Sequence, residues 1–472
     1  MVRGPTSRRH FLRQSSLYSL GFLALRRCVQ TASAAGAEAL APRPDLGYGP
    51  LVADPEELLD LPRGFAYKIV SRAGDAMDDG LFVPGKADGM ATFAGPDGLA
   101  IIVRNHELLP YEGPSPFGQS NRLPDSIDPG RLYDAGRGRS PHRGGTTTLL
   151  FDPREQRVVK QFMSLAGTAR NCAGGPTPWN SWISCEETVV VAGRGKDGDY
   201  VSDKDHGYCF DVPATADIRL ADPIPLAAMG RFNHEAVAVD PRTGIVYETE
   251  DREDGLFFRF LPAKPGELKA GGQLQALCVV GFAPKDTRNW GPHEPIDQGA
   301  KLRVRWIDMD QVEAPEDALR YRGFDAGAAR FARGEGIWYA DGAFYIACTN
   351  GGPKQKGQIW KYTPAEREGA GGDDDSGTLE LFVESRDSAL LESCDNLTMS
   401  PWGDLVVCED RDGKVVRLVG VTPDGQMYTL ANSHAKSEFA GVAFTPDGTT
   451  LLVNIQHRGL TIAVTGPWRR LA

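Results

Sequence analysis

One stretch of this chain occurs twice. Cys172 to Glu187, Cys-Ala-Gly-Gly-Pro-Thr-Pro-Trp-Asn-Ser-Trp-Ile-Ser-Cys-Glu-Glu, lies without a gap on Asp395 to Asp410, Asp-Asn-Leu-Thr-Met-Ser-Pro-Trp-Gly-Asp-Leu-Val-Val-Cys-Glu-Asp. Pro178 falls on Pro401, Trp179 on Trp402, Cys185 on Cys408, and Glu186-Glu187 on Glu409-Asp410. Each copy reads as a short strand, a turn and an apolar strand that ends in acid. A hairpin of this kind cannot bury both faces alone, so the chain must stack several of them.

Four more copies complete the set. One opens at Asp88, turns at Gly95-Pro-Asp-Gly98 and ends at Asn105-His106-Glu107. The others open at Glu235, at Glu335 and at the slot of Ala440. Their turns carry Asp-Gly or Thr-Gly, which supply the positive φ angles of tight hairpins. The shortest spacing, Asp395 to Ala440, is 45 residues, the length of a four-stranded propeller blade. The expected fold is therefore all-β, a six-bladed β-propeller with loop insertions, with residues 44–472 as its single domain. The strand expected at Phe65 to Val70 would pair with the last repeat and close the ring. Insertions are expected at 108–145, at 262–333 (partly helical around Gln311 to Arg320) and at 367–377.

The chain has 472 residues and a net charge of -11. That balance disfavours nucleic acid and suits cations. Eight cysteines in this length are no disulfide scaffold. Cys209, Cys278 and Cys348 read as small buried residues, as do Cys185 and Cys408. No apolar run after the leader could span a bilayer. The leader itself, Ser7-Arg8-Arg9-His10-Phe11-Leu12-Arg13 followed by a short apolar stretch and Ala32-Ser33-Ala34, reads as a twin-arginine signal peptide over 1–34. It implies the twin-arginine export machinery as a partner, a periplasmic or secreted location, and a protein exported already folded. We expect a monomer.

The repeats carry a second signal. The residue just before the first strand is Asp88, Cys172, Glu235, Glu335 and Asp395 in five of the six copies. In a propeller these positions ring the central channel. Five anions there would repel one another unless protonated or bound to metal. Carboxylates suit Ca2+ or Fe3+, and the thiolate of Cys172 suits a transition metal. A single acid in such a slot is usually a turn cap; five in register favour shared ligands over five separate caps. Arg333 lies two residues before Glu335, so it would sit at the same mouth, either on an oxyanion or bridged to a ring carboxylate. His106 and His234 read as supporting groups or substrate contacts. Trp179, Trp182 and Trp402 read as packing.

These residues resemble the PhoX family of alkaline phosphatases. The likeness rests on Arg170-Asn-Cys-Ala-Gly-Gly-Pro-Thr-Pro-Trp through Cys185-Glu-Glu, Gly230-Arg-Phe-Asn-His-Glu, Glu248-Thr-Glu-Asp-Arg, Gly334-Glu-Gly-Ile-Trp-Tyr, Gly357-Gln-Ile-Trp, Asp395-Asn-Leu-Thr with Pro401-Trp-Gly-Asp, and Glu438-Phe-Ala-Gly-Val. It implies a six-bladed propeller, twin-arginine export, ferric and calcium ions, and hydrolysis of small-molecule phosphomonoesters. By motif, Cys172, Glu235, Glu335 and Asp395 match metal-binding positions, as does one of Glu186 and Glu187. Arg333 matches a phosphate-contacting arginine. Lys354 and Lys356 are candidates for a further phosphate contact, with no motif to place either. Two rivals are a calcium-dependent lactonase-like hydrolase, which would gain nothing from the Cys172 thiol, and a propeller that only binds a partner.

The leader yields a direct expectation. With Arg8 and Arg9 both changed to Lys, the protein should stay in the cytoplasm, as fractionation and immunoblotting would show. Recovery from the periplasm at the unmodified level would refute the twin-arginine assignment.

Overall fold

The computed structural model describes residues 46–193, 202–282, 285–291, 295–372, 375, 377–411, 413 and 415–469. The expected signal peptide lies outside them. Every repeat recognised in the sequence is an antiparallel hairpin. The first strands are Ala87–Ala94, Asn171–Pro176, His234–Val239, Gly334–Ala340, Cys394–Met399 and Phe439–Phe444. Each packs against the next, and the last packs against the first, so together they circle one axis. Their partners are buried on both faces, as in Ala100–His106 and Leu405–Glu409, because each sheet is sandwiched between its neighbours. That is why runs such as Ile101-Ile102-Val103 and Leu451-Leu452-Val453 are apolar without alternation.

The hairpins share one irregularity. In five of them the register slips directly after the first pair: between Ala87 and Met90, Asn171 and Gly174, His234 and Val237, Gly334 and Ile337, and Cys394 and Leu397. The sixth slips one residue later, between Ala440 and Ala443. A bulge here turns the side chain of the slot residue towards the axis. It also brings backbones close. A Cβ on Gly89 would stand 2.5 Å from Ala173 Cα, and one on Gly336 would stand 2.8 Å from Asn396 Cα. One further hydrogen bond recurs in all six hairpins. It runs from Glu107, Glu187, Asp251, Thr349, Asp410 and Gln456 N–H to the carbonyls of Lys86, Arg170, Asn233, Arg333, Ser393 and Glu438, at 2.9–3.3 Å.

The ring closes as expected. Ala66–Arg72 pairs antiparallel with Leu460–Thr465 and completes a four-stranded sheet with the last hairpin. An aromatic cluster backs this closure: Tyr48 lies edge-on to Phe65 at 4.9 Å, and Trp468 stacks on Trp402 at 5.3 Å.

The expectation of six separate blades needs correction. The fold is all-β and propeller-like, but its strands form five sheets. Four are blade-like. The fifth is an eleven-stranded sheet, nearly closed on itself, whose end strands His234–Val239 and Gly334–Ala340 lie against each other. The cause is the strand Lys301–Asp308. Its residues 304–308 pair with Gly272–Val279, and its residues 301–303 pair with Thr378–Glu384, so it joins two hairpin systems into one sheet. The segment 262–333 thus carries strands of its own, Gly272–Val279 and Lys301–Asp308 the longest, between its loops. Its α-helix is Leu319–Asp325, beginning near the end of the expected helical stretch.

Without Ala66–Arg72, Leu460–Thr465 would be left as a bare apolar edge. A chain lacking residues 47–72 should therefore lose its cooperative thermal transition, followed by near-ultraviolet circular dichroism. An unchanged melting temperature would show that closure does not depend on this strand.

Candidate functional site

The slot residues meet at one end of the axis. Asp88, Glu235, Glu335 and Asp395 are buried and Cys172 is half-buried. Three overlapping groups of ligand atoms lie within 4.8 Å of one another: Asp88 with Glu107 and Cys172, Cys172 with Glu187 and Glu235, and Glu235 with Glu335 and Asp395. Cys172 and Glu235 are each shared by two groups. The set therefore reads as one continuous band of donors rather than isolated pockets.

Burial, then the neighbouring anions, pushes the carboxyls of Asp88, Glu235 and Asp395 well above the usual carboxylate range. Glu187 and Glu335 are raised too, mainly by burial, with Arg170 and Arg333 respectively opposing the shift. Burial also raises the Cys172 thiol, followed by the charges of Asp88 and Glu235. Arg333 donates to both oxygens of Asp251 at 2.8 and 2.9 Å and reaches Glu335 at 3.0 Å. Arg170 mirrors it, with Glu107 at 2.6 Å and Glu187 at 2.7 Å. Each arginine side chain is 34% exposed, so neither is sealed from solvent.

Arg170 and Arg333 hold φ angles of 48° and 51°, and Lys86 and Ser393 occupy the same slot with 43° and 53°. Left-handed geometry at a residue other than glycine is strained, and such strain clusters at functional sites. Here it steers the chain into each bulge.

Glu235 stands apart from the rest of the ring. Neither of its oxygens accepts a hydrogen bond among the described residues, although it is 1% exposed. Asp88 accepts from Gln456 Nε2 at 2.5 Å, and Asp395 accepts from Asn396 Nδ2 at 2.9 Å. A buried carboxylate lacking a donor is costly and calls for a cation or a proton.

The pair Glu186-Glu187 resolves. Glu187 turns into the ring, where Asn233 Nδ2 donates to it at 3.1 Å. Glu186 turns the other way. It accepts from the N–H groups of Ala169 (2.9 Å), Gly207 (2.8 Å) and Tyr208 (3.2 Å) and contacts His206 Nδ1 at 2.7 Å. Of the two, Glu187 joins the donor band and Glu186 lies outside it, because adjacent residues along a strand face opposite sides.

The histidines are not at the ring mouth. His106 is buried against Gly85 O and Thr147 Oγ1, both at 2.9 Å, and His234 points to Gly230 O at 3.1 Å. Lys356 is paired with Glu392. Trp182 is packed, its Nε1 donating to Asn105 at 2.9 Å. Sequence reasoning passed over Glu107, Asp251, Gln456 and Arg170 as site residues. The first three each follow a strand end by one place, at the same register as Glu187, which is a signal the repeats already contained.

The chain matches the family model for alkaline phosphatase PhoX over residues 46–459. No curated protein matches it. Among solved structures it resembles Pseudomonas fluorescens PhoX in complex with vanadate, a transition-state analogue. The identity is 18%, with 89% of this chain and 98% of that one covered, at a TM-score of 0.64. That likeness speaks to the fold. A gluconolactonase of Xanthomonas campestris (13% identity, 89% and 98% covered, TM-score 0.35) and a periplasmic gluconolactonase of Pseudomonas aeruginosa (13%, 79% and 78%, 0.36) are too distant in shape to carry an argument.

The two adjacent glutamates should separate in experiment. Glu187→Gln should lower bound metal, read by elemental analysis. Glu186→Gln should leave metal content alone and cost about 1–3 kcal/mol of stability, since a buried acceptor set loses its charge. The reverse pattern would place the ligand at Glu186.

Proposed function

Because the chain belongs to the PhoX alkaline phosphatase family, whose members are phosphoric monoester hydrolases, we propose that it hydrolyses small-molecule phosphomonoesters at the axial ring with an iron and calcium cluster. The observation that carries this reading is Glu235, a buried carboxylate with no hydrogen-bond donor among the described residues, shared between a group that includes the Cys172 thiol and a group made only of carboxylates. The residues fit the ions. Cys172 with Glu187 and Glu235 offers the mixed sulfur and oxygen set that suits ferric iron, and Glu235 with Glu335 and Asp395 offers the all-oxygen set that suits calcium. Bound there, the ions would supply Lewis acidity for the phosphoryl oxygens.

The chain's own residues do the remainder. Arg333 and Arg170 are fixed by bidentate and bridging carboxylates, so little side-chain entropy is lost when an oxyanion arrives. Both stay partly exposed, so they can neutralise charge spreading over the equatorial phosphoryl oxygens. Asp251 and Glu107 aim them. Gln456, bridging Asp88 and Glu107 at 2.5 and 2.9 Å, fixes those two carboxylates without adding charge. We further propose export through the twin-arginine leader to the periplasm or beyond, supported by Arg8-Arg9. On this reading the protein acts as a monomer, and residues 44–472 work as one domain.

Protein folded with iron and calcium should hydrolyse p-nitrophenyl phosphate and lose that activity on chelation. Arg333→Ala should lower kcat about 100-fold and weaken inhibition by inorganic phosphate while metal content stays constant. Loss of metal together with the arginine would make Arg333 a brace for Glu335 rather than a phosphate contact. Full activity in the chelated protein would remove the metal from the reaction.

A further inference from the structure

Behind the ring, three side chains of metal-ligand type converge in the core, with a second thiol beside one of them. Cys185 and Cys209 sit directly opposite each other on the strands Ser181–Glu186 and Cys209–Pro213, with their sulfurs 3.5 Å apart. Cys209, His234 and Glu248 bring ligand atoms within 4.8 Å of one another. His234 Nδ1 is 3.3 Å from Glu248 Oε2. All four residues are 0% exposed.

The geometry points to a second, structural metal site here, built on the Cys209 thiolate, the His234 imidazole and the Glu248 carboxylate, which takes a cation of the Zn2+ class and draws in the neighbouring Cys185 thiolate as its fourth ligand. Three observations carry it. The first is an unmet acceptor. Neither oxygen of Glu248 accepts a hydrogen bond among the described residues, and His234 Nδ1 makes none either. Their 3.3 Å approach is therefore not an aligned hydrogen bond. The second is the spacing. Nitrogen and oxygen ligands at about 2.0 Å from a tetrahedral ion stand about 3.3 Å apart, and two thiolates at about 2.3 Å stand about 3.8 Å apart. The observed 3.3 and 3.5 Å lie close to both. The third is tautomer control. His234 Nε2 is 3.1 Å from Gly230 O. A proton donated there leaves Nδ1 as a lone pair directed at the cluster, the second-shell arrangement of metal-bound histidines. Facing a carboxylate, that lone pair is repulsive unless a cation or a proton lies between them.

The position has a purpose. The two cysteines belong to the three-stranded sheet, the smallest of the five, and His234 and Glu248 belong to the eleven-stranded sheet beside it. One ion would staple the two together. Since no ligand is exposed, the ion would enter during folding and be trapped, and it would take no part in turnover. Mixed sulfur, nitrogen and oxygen donors favour zinc over the hard calcium of the ring.

The test uses the full chain, produced with zinc in the medium. Folded protein is treated with EDTA to strip accessible ions, then unfolded in guanidinium with the zinc indicator 4-(2-pyridylazo)resorcinol. About one zinc per chain should appear only on unfolding, and X-ray absorption of the EDTA-treated protein should show two sulfur ligands. Cys209→Ser should abolish that zinc. Glu248→Gln, which keeps the side chain's shape, should let folded protein lose it to EDTA at least 10-fold faster. Absence of zinc would overturn the proposal. So would zinc with at most one sulfur ligand, which would place it at Cys172, or a mass two hydrogens light that maps a disulfide to Cys185 and Cys209.

Discussion

The structure depends on gathering anions where water is scarce. Asp88, Glu107, Glu187, Glu235 and Glu335 are all less than 8% exposed, with Asp395 at 8% beside them. Burying one uncompensated charge costs several kcal/mol, while a whole domain is stable by about 5–15 kcal/mol. The ring cannot be fully ionised and uncompensated in a folded chain. Arg170 and Arg333 offset part of the repulsion at Glu107, Glu187, Asp251 and Glu335. Neither forms an ion pair with Asp88, Glu235 or Asp395 among the described residues, and these are carboxyls that burial holds above their ordinary range. Protons or metal ions must supply the balance.

The bulges and the small residues exist to make this gathering possible. An ordinary strand would point alternate side chains into neighbouring sheets. The slip after the first pair redirects one residue per hairpin to the axis, and Gly89 and Gly336 follow it where the adjacent backbone leaves no room for a side chain. The sixth hairpin departs from the pattern in a way that makes electrostatic sense. Its slot is Ala440, and beside the Glu438 carboxyl it contributes an amide: Gln456 donates to Asp88 and Glu107. Gly441, at φ 61° with a would-be Cβ 2.1 Å from Asp88 O, lets that hairpin press against the first. A sixth carboxylate there would add repulsion, whereas the neutral donor relieves it.

Much of this was legible in the chain. Turn residues between short apolar runs revealed the hairpins, and their alignment placed Asp88, Cys172, Glu235, Glu335 and Asp395 on one ring. What escaped had identifiable causes. Lys301–Asp308 alternates charged residues with Leu302, Val304 and Trp306 as a half-exposed strand does, but it lies inside a long inter-repeat segment that reads as insertion. Its pairing with two partners is a tertiary fact that no local pattern encodes. Glu186 and Glu187 could not be told apart because strand alternation fixes only relative faces, and the bulge sets which face meets the axis. Arg170 was visible within a motif, yet its role follows from Glu107 and Glu187, which are far from each other in sequence.

The same electrostatics ties the fold to the chemistry. A phosphomonoester carries negative charge towards a mouth already lined by carboxylates, and without bound cations the nearest potential would repel it. Two arginines, each already shared between two carboxylates, cannot reverse that sign alone. The cations that relieve the ring's own repulsion are therefore the ones that make the site attractive to substrate. Stability and substrate binding draw on the same ions, so a chain that folds with its ring filled is already prepared to bind, and one that folds with its carboxyls protonated is not.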